Sequence, residues 1–560
     1  MKTKKWLFFI ILYFFVAPLS AANYIQKGNT IIVHVQSPGP DGPHLVSLQV
    51  VGDHIIRVRA TKEKTFPATQ SLMIVPQTAR PVFRVRQKNS HILISTSSLR
   101  VDVDALSGRI AFYHPDGRLY VQETAHGGKT LKPFFVPARE IGAGHLTAAQ
   151  RKGWSCRALF DSPSDEAFYG LGQHQAGELD MKGRNEDLFQ YNTKVSVPFV
   201  VSNRNYGILW DSYSYCRFGN PNPYVQLNHA FTLYDKDWRA GALTGTYVDK
   251  KGNRLVRRED SLYFEYGCPP KSAIAKATDH GGIRNLPQDI TLGGSNVVYE
   301  GFLQAPVDNH YHFLLYYAGY IKVYIDGKLV VPERWRTAWN PNSWKFVVPM
   351  KKGVRVPVRI EWKPDGDVSY CGLRAATPRS DQDQGKLSIW SEMSREMDYY
   401  FIAGRDLDDV ISGYRTLTGK APVYPKWALG FWQSRERYRN SGEVERVMKE
   451  FRTRHIPIDN IVQDWNYWKI DSWGDHTFDA SRYAHPQAML DSIHQMHGRF
   501  MISVWPKFYV TVRNYKELDA HGWIYHQAIQ DSILGAASAS STSVTPFTIC
   551  ITCNGVLSAK

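Results

Sequence analysis

The sequence predicts a multidomain protein: an N-terminal β-sandwich, a second all-β unit, and the first part of a parallel (β/α)8 barrel, left incomplete. Three observations carry that prediction. Apolar and polar residues alternate with period two from Ile31 to about Tyr120, the pattern of half-buried strands. Asp326-Gly327 sits between two alternating apolar runs, IKVYI and KLVV, and marks a hairpin, because a type I′ turn needs positive φ at both central positions. After Pro422 the apolar period lengthens to that of helices, with short apolar strands between them. Strand, helix, strand in that order implies parallel pairing with right-handed crossovers.

The elements follow in chain order. Lys2, Lys4 and Lys5 precede an apolar run from Trp6 to Ala17 and the small residues Ser20-Ala21-Ala22. Residues 1–22 therefore resemble a secretory signal peptide, and the run is shorter than the roughly 20 residues that span a bilayer. Export to a periplasmic or extracellular space, without a membrane anchor, is expected. Residues 23–237 read as the sandwich, through IIVHV, LVSLQVV, HIIRVRA, HILIST and LRVDVDA, with turns at Ser107-Gly108 and Pro115-Asp116-Gly117. Residues 238–385 read as the second β unit, in which the hairpin is followed by Trp335, Trp339, Trp344 and Trp362. Residues 386–421 are the end of the sandwich and a linker.

Residues 422–533 read as the barrel segment. WALGFWQSR (427–435) is its first strand. Asn440 is placed to cap a helix with Glu443 at the third position. Val444, Val447, Met448 and Phe451 then fall on one face, and Pro457 stops the run. Ile458–Val462 is the second strand, ending in Gln463-Asp464. His485-Pro486 opens another helix with Met489, Ile493 and Met496 inward, Gly498 ends it, and Phe500–Val504 is the third strand.

Composition narrows the function. The 560 residues give room for three or four domains at about 100–200 residues each. The net charge of +16 is scattered and accompanies no nucleic-acid module, so it reads as a solvated basic surface. Six cysteines in a chain of this length are not a disulfide scaffold. Cys550 and Cys553 form a lone CxxC, which without a second pair does not define a metal site. No metal and no cofactor are expected. Sixteen Trp and thirty-one Tyr suit a carbohydrate partner, since sugar rings present C–H faces to aromatic faces; ordinary sandwich packing accounts for them equally well.

In a parallel barrel the functional groups gather at the C-terminal ends of the strands. The first strand end offers Trp432, Gln433 and Arg435, the second Asp464, Trp465 and Trp468, the third Trp505 and Lys507. Asp464 is suited to accept hydrogen bonds from two sugar hydroxyls, with the indoles as walls. A strand-end Asp capping its loop, with Trp as core filler, is the alternative. Recurrence at three successive ends favours a binding site.

Specific motifs then point to a family. DYYFIAGRDLDDVISGYRTLTGKAPVYPKWALGFWQSRERY (398–438) resembles the approach to the catalytic barrel of glycoside hydrolase family 31, and EAFYGLGQHQ (166–175) resembles a motif of its N-terminal sandwich. NIVQDWNYW (460–468) and RFMISVWPKFY (499–509) resemble the branch of α-xylosidases that trims xyloglucan side chains. The family's α-glucosidases show an Asp-x-Asp-Tyr pattern where this chain has Asp464-Trp465-Asn466-Tyr467-Trp468. Residues 240–377 resemble a protective-antigen-type (PA-14) module, which some α-xylosidases carry inserted in the sandwich. The resemblance implies a retaining mechanism with two carboxylates about 5–5.5 Å apart, supplied by later barrel strands in a Trp-x-Asp segment and beyond. Neither segment occurs in this sequence, so no catalytic residue is assigned. By family position Asp464 binds a sugar hydroxyl in the −1 subsite and Trp505 lines it, with Trp432 and Trp465 beside them.

The barrel segment is short for about 250 residues of a full barrel. From Leu534 the chain is rich in Ser, Thr and Ala, lacks charge until Lys560 and resembles nothing in the family. It reads as an out-of-frame tail, or as a low-complexity one. Three parallel strands leave an open edge, and residues 422–560 are expected to be poorly ordered in isolation. The expectations are thus an α-xylosidase-like fragment that is inactive, a non-catalytic carbohydrate-binding protein, or an α-glucosidase of the same family. A hydrolase using Glu436 or Asp471 is a further, weaker possibility.

Overall fold

A computed structural model describes residues 23–521 except 69, 126–127, 136–151, 175–176, 190–193, 221, 265–289, 338–341, 367–368, 377–384 and 505–507. The expected signal peptide and tail, with Trp339, Cys550 and Cys553, lie outside the described residues. Among the described residues no helix is long and apolar enough to cross a membrane.

The N-terminal sandwich is built on an eight-stranded antiparallel sheet. Its order is Tyr24–Lys27, Thr30–His34, Leu45–Gly52, Ile55–Thr61, Met397–Ala403, Tyr206–Trp210, Val195–Ser202 and Phe168–Gln173. A five-stranded sheet adds Lys129–Phe135, Lys152–Phe160, Leu387–Ser394, Cys216–Phe218 and Glu186–Leu188. A meander of five strands runs from Arg84 to Gln122. The alternation read from the sequence is the burial pattern: in His91–Ser95 and Arg100–Asp104 the second and fourth residues are buried. Ile92, Val103, Phe160, Trp210 and Phe401 meet in one core, where the rings of Phe112 and Phe401 stack at 3.9 Å. Within this core the Glu123 side chain is fully buried and pairs with the Lys129 ammonium. Glu123 also accepts from the Ile110 N–H at 2.9 Å and the Tyr399 hydroxyl at 2.9 Å.

Cys216–Phe218 and Leu387–Ser394 are neighbours in the five-stranded sheet, with Cys216 opposite Ser391. Between them the chain leaves and builds two sheets of its own. One contains Tyr224–Gln226, Leu262–Phe264, Asn309–Tyr317, Asn342–Met350 and Cys371–Ala376; the other has seven strands between Thr232 and Lys363. Asp326 and Gly327 turn between the strands Gly319–Ile325 and Lys328–Arg336 with φ of 55° and 69°, the positive pair that the Asp-Gly signal demands. The boundary expected at residue 238 is corrected: Tyr224–Gln226 and Thr232–Tyr234 already belong to the inserted unit. Strands of three residues carry no periodic signal, and their partners lie far along the chain.

The inserted unit is fastened to the sandwich by charge. Lys345 Nζ lies 2.5 Å from Asp187 Oδ2 and 3.3 Å from Glu186 Oε1, while Arg217 Nε holds the other Asp187 oxygen at 2.7 Å. Burial alone would raise the Asp187 carboxyl; Lys345 and Arg217 outweigh it and hold the group well below the usual carboxylate range. The stretch read as linker contains a helix, Leu407–Thr418, capped by the Asp406 side chain. Its Val410 and Leu417 pack on Phe199, Leu209, Tyr400 and Ile402 of the sandwich.

The barrel segment holds three parallel strands, Trp432–Arg435, Asn460–Gln463 and Arg499–Ile502. The first is shorter than the sequence suggests, because Lys426–Leu429 is a 3₁₀ turn. The helix Ser441–Thr453 carries the expected cap, with Asn440 Oδ1 accepting from Glu443 N at 2.9 Å. Glu443 reaches back to Arg439 N at 2.7 Å, one residue beyond the usual capping-box partner, the N-cap N–H. Asn440→Ala is expected to cost about 1 kcal/mol, measured as a shift of the denaturation midpoint of this segment. Val444 and Met448 are fully buried, as are Met489 and Ile493 of the helix Pro486–Gln495. The left-handed residue ending that helix is His497, with φ of 55°, and not Gly498. Gly498 sits in close packing, where a Cβ would stand 2.3 Å from Met448 Cε, the movable end of that side chain, and 3.1 Å from Ile493 Cγ2.

Candidate functional site

The register of the three strands fixes where each predicted residue stands. Trp432 pairs with Asn460 and Arg435 with Gln463, so Trp432 opens its strand. Its indole N–H donates to Ala428 O at 3.0 Å, back toward the 3₁₀ turn, and the expectation that it lines the pocket is corrected. Gln433 is half-buried in the same strand. Arg435 does reach the C-terminal end, where its guanidinium bonds Glu443 at 3.1 Å. Trp468 is also corrected: it is 2% exposed and packs in the core with Tyr467, Tyr483 and Met489. Trp505 and Lys507 lie outside the described residues.

Asp464 and Trp465 stand together at the tip of the second strand. Asp464 is half-buried, and its Oδ1 accepts from Trp465 N at 2.7 Å. Beneath it, Gln463 is fully buried. The Gln463 amide donates to Tyr438 O at 3.1 Å and accepts from the Tyr483 hydroxyl at 2.9 Å. A buried amide with its bonds filled has little freedom, so it holds the strand tip, and with it Asp464, in place.

The sequence did not single out the second part of this site. The Trp465 ring stacks on Trp473 at 5.1 Å with 24° between planes, and the Arg437 guanidinium lies 5.0 Å from the Trp465 centroid. Trp473 O accepts from Tyr509 N at 2.9 Å, so the loops after the second and third strands are joined. His476 sits below, with Nδ1 3.1 Å from the Tyr467 hydroxyl, and Nε2 buried without a hydrogen-bond partner among the described residues. Burial lowers its pKa against the pull of Asp475, which keeps the ring neutral at neutral pH. Trp473, His476 and Tyr509 come from irregular loops; their one sequence signal is aromatic density after each strand end. Glu436 and Asp471 are exposed on loops. The arrangement is a carboxylate beside a stacked indole pair, which suits a sugar ring: hydroxyls bond the carboxylate and the C–H face meets an indole.

The fold is that of a β-sandwich followed by parallel strands of a barrel. A model of the glycosyl hydrolases family 31 TIM-barrel domain matches residues 421–549, and the glycosyl hydrolase 31 N-terminal galactose mutarotase-like domain matches residues 45–218. The chain belongs to glycoside hydrolase family 31. The barrel match runs past residue 533 into the stretch read above as unlike the family.

Among relatives, an alpha-xylosidase of Saccharolobus solfataricus is 45% identical over 141 residues, 25% of this chain and 19% of that protein. An uncharacterized family 31 glucosidase of Pseudescherichia vulneris is 32% identical over 488 residues, 86% of this chain and 61% of that one. The solved GH31 alpha-xylosidase from Xanthomonas citri is 35% identical with a TM-score of 0.79, covering 94% of this chain and 53% of that structure. The chain thus spans less than two-thirds of each of these relatives.

Proposed function

We propose that the chain carries the sandwich and the substrate-recognition strands of an exported, retaining α-glycosidase. Its type is an α-xylosidase acting on α-xylosyl groups of xyloglucan oligosaccharides. The observation that carries this reading is Asp464, half-buried at the tip of the second parallel strand beside the stacked Trp465–Trp473 pair. Similarity to two α-xylosidases supports the sugar, and the Asp464-Trp465-Asn466-Tyr467 sequence departs from the pattern of the family's α-glucosidases. Residues 1–22 support export through their signal-peptide pattern, and residues 224–376 support a PA-14-type module through their two sheets.

Retaining hydrolysis needs two carboxylates about 5–5.5 Å apart. The segments that supply them by resemblance are not in these 560 residues. The chain by itself is therefore expected to bind xylose and release none from xyloglucan oligosaccharides. Asp464→Asn should weaken xylose binding at least tenfold by calorimetry while leaving circular dichroism unchanged. Xylose release proportional to protein would overturn the inactive reading, and equal affinity of the variant would remove Asp464 from the site.

The second reading, a carbohydrate-binding protein without catalysis, draws on the inserted unit's tryptophans. Trp362 is buried there and Trp344 is covered by Arg334 at 3.6 Å, while Trp335 is 49% exposed.

A further inference from the structure

The turn before the helix Pro486–Gln495 sends two neighbouring side chains to the strand-tip loop. The Tyr483 hydroxyl bonds Gln463, the residue before Asp464. Arg482 grips the residues after Trp465. Its Nη1 donates to Asn466 O at 2.8 Å, its Nη2 donates to Trp468 O, and its Nε donates to Asp479 Oδ2 at 3.0 Å. The N–H of Asp479 donates to Tyr467 O at 2.9 Å. Three successive carbonyls, of Asn466, Tyr467 and Trp468, therefore bond to one turn.

That turn is itself fixed. Asp479 Oδ1 accepts from Ser481 N and Ser481 Oγ at 3.0 and 2.8 Å. The Asp479 carbonyl accepts from Arg482 N at 3.0 Å, and Arg482 O accepts from Ser441 N at 3.2 Å, at the start of the helix Ser441–Thr453. Asp464 and Trp465 are the two residues left between the Gln463 anchor and the Arg482 anchor. Asn466 takes a φ of 63°, a left-handed backbone that asparagine tolerates, so the chain bends immediately after Trp465.

A guanidinium suits this position. It spreads five N–H donors in a rigid planar fork, and so meets two carbonyls and a carboxylate at once. An ammonium, a point charge on a flexible stem, does not hold that geometry. Recognition groups work only when they are held to within about 0.5 Å of their place, and a displacement of about 1 Å costs on the order of a hundredfold. We propose that Arg482 is a positioning residue, which sets the Asp464 carboxylate and the Trp465 indole for a sugar without touching the sugar itself. The inference rests on reading those two residues as the sugar site.

The test uses the full chain with xylose as the probe. Arg482→Ala should weaken xylose binding at least tenfold by calorimetry, at a temperature where circular dichroism shows the variant folded. Ethylguanidinium added to it should restore the affinity to within threefold of wild type, and ethylammonium should not. A merely structural role gives a lower melting temperature with wild-type affinity, and that result overturns the proposal. A second readout needs no ligand. Stacked indoles couple their transitions, so the circular dichroism band that Trp465→Phe removes reports the Trp465–Trp473 stack. Arg482→Ala should lose this band, and ethylguanidinium should return it. If Arg482→Ala fails to fold, Arg482→Lys takes its place, with at least threefold weaker xylose binding and a weakened band expected; wild-type values of both overturn the proposal. Asp464→Asn separates the two readings. Wild-type affinity in that variant, or no heat from the wild type, removes the sugar site, and the band alone then decides whether Arg482 positions Trp465. Loss of xylose binding in Asp464→Asn with affinity and band intact in Arg482→Ala leaves the site standing and removes the positioning role.

Discussion

Lys345→Met should loosen the inserted unit from the sandwich and lower stability by roughly 3 kcal/mol, the low end for breaking a buried ion pair. The low end applies because Arg217 still holds Asp187 at 2.7 Å, while Glu186 loses a cation at 3.3 Å and, among the described residues, keeps Lys194 at 3.8 Å beside the His174 ring at 3.3 Å. Thermal melting and limited proteolysis between residues 219 and 223 both read the effect. The pH dependence has a definite sign. Asp187 is depressed in the folded protein, so between its folded value and about 4 the unfolded chain binds more protons and stability rises with pH. The stabilisation is complete above the unfolded value and is lost as pH falls through the folded one. The gap between wild type and Lys345→Met should therefore hold from about pH 5 to 8 and close only in stronger acid. A gap that closes near neutrality would mean that another group carries it.

Glu123→Gln should cost about 3–5 kcal/mol, because it strands the buried Lys129 ammonium without its charge partner. Gly108 O, at 2.8 Å, would remain as an acceptor, which is too little for a buried cation. The pair's value is distinguishable from its breakage. A Glu123→Met, Lys129→Met double variant should recover most of the loss, since replacing both ions by apolar volume is often neutral. A double variant as unstable as the single one would show that Tyr399 and Ile110, not Lys129, give Glu123 its importance.

Local chemistry was legible in the sequence where one or two residues dictate a backbone. Asp326-Gly327 could be read because few residue pairs tolerate two positive φ angles, and Asn440 because a helix start needs an acceptor for Glu443 N. Asp464 was legible from its place after a short apolar strand. Trp432 was misplaced because Trp427–Phe431 reads as strand but forms a 3₁₀ turn and its exit, which shifts the strand's start. Trp468 was misread because an indole after a strand looks the same whether it faces a pocket or a core. The Trp465–Trp473 stack was not legible at all. It joins residues whose neighbourhood is set by loops, and no local period encodes that.

The way the inserted unit interrupts the sandwich also sets an order of assembly. Met397–Ala403 is a central strand, paired with Ile55–Thr61 on one side and Tyr206–Trp210 on the other. On a ribosome adding about 5–20 residues per second, the first strands wait many seconds for that partner. The inserted unit is contiguous between residues 224 and 376 and can close its own core during that interval. Nascent sandwich strands would spend the wait with open edges, so chaperone demand during synthesis should fall on the first half of the chain.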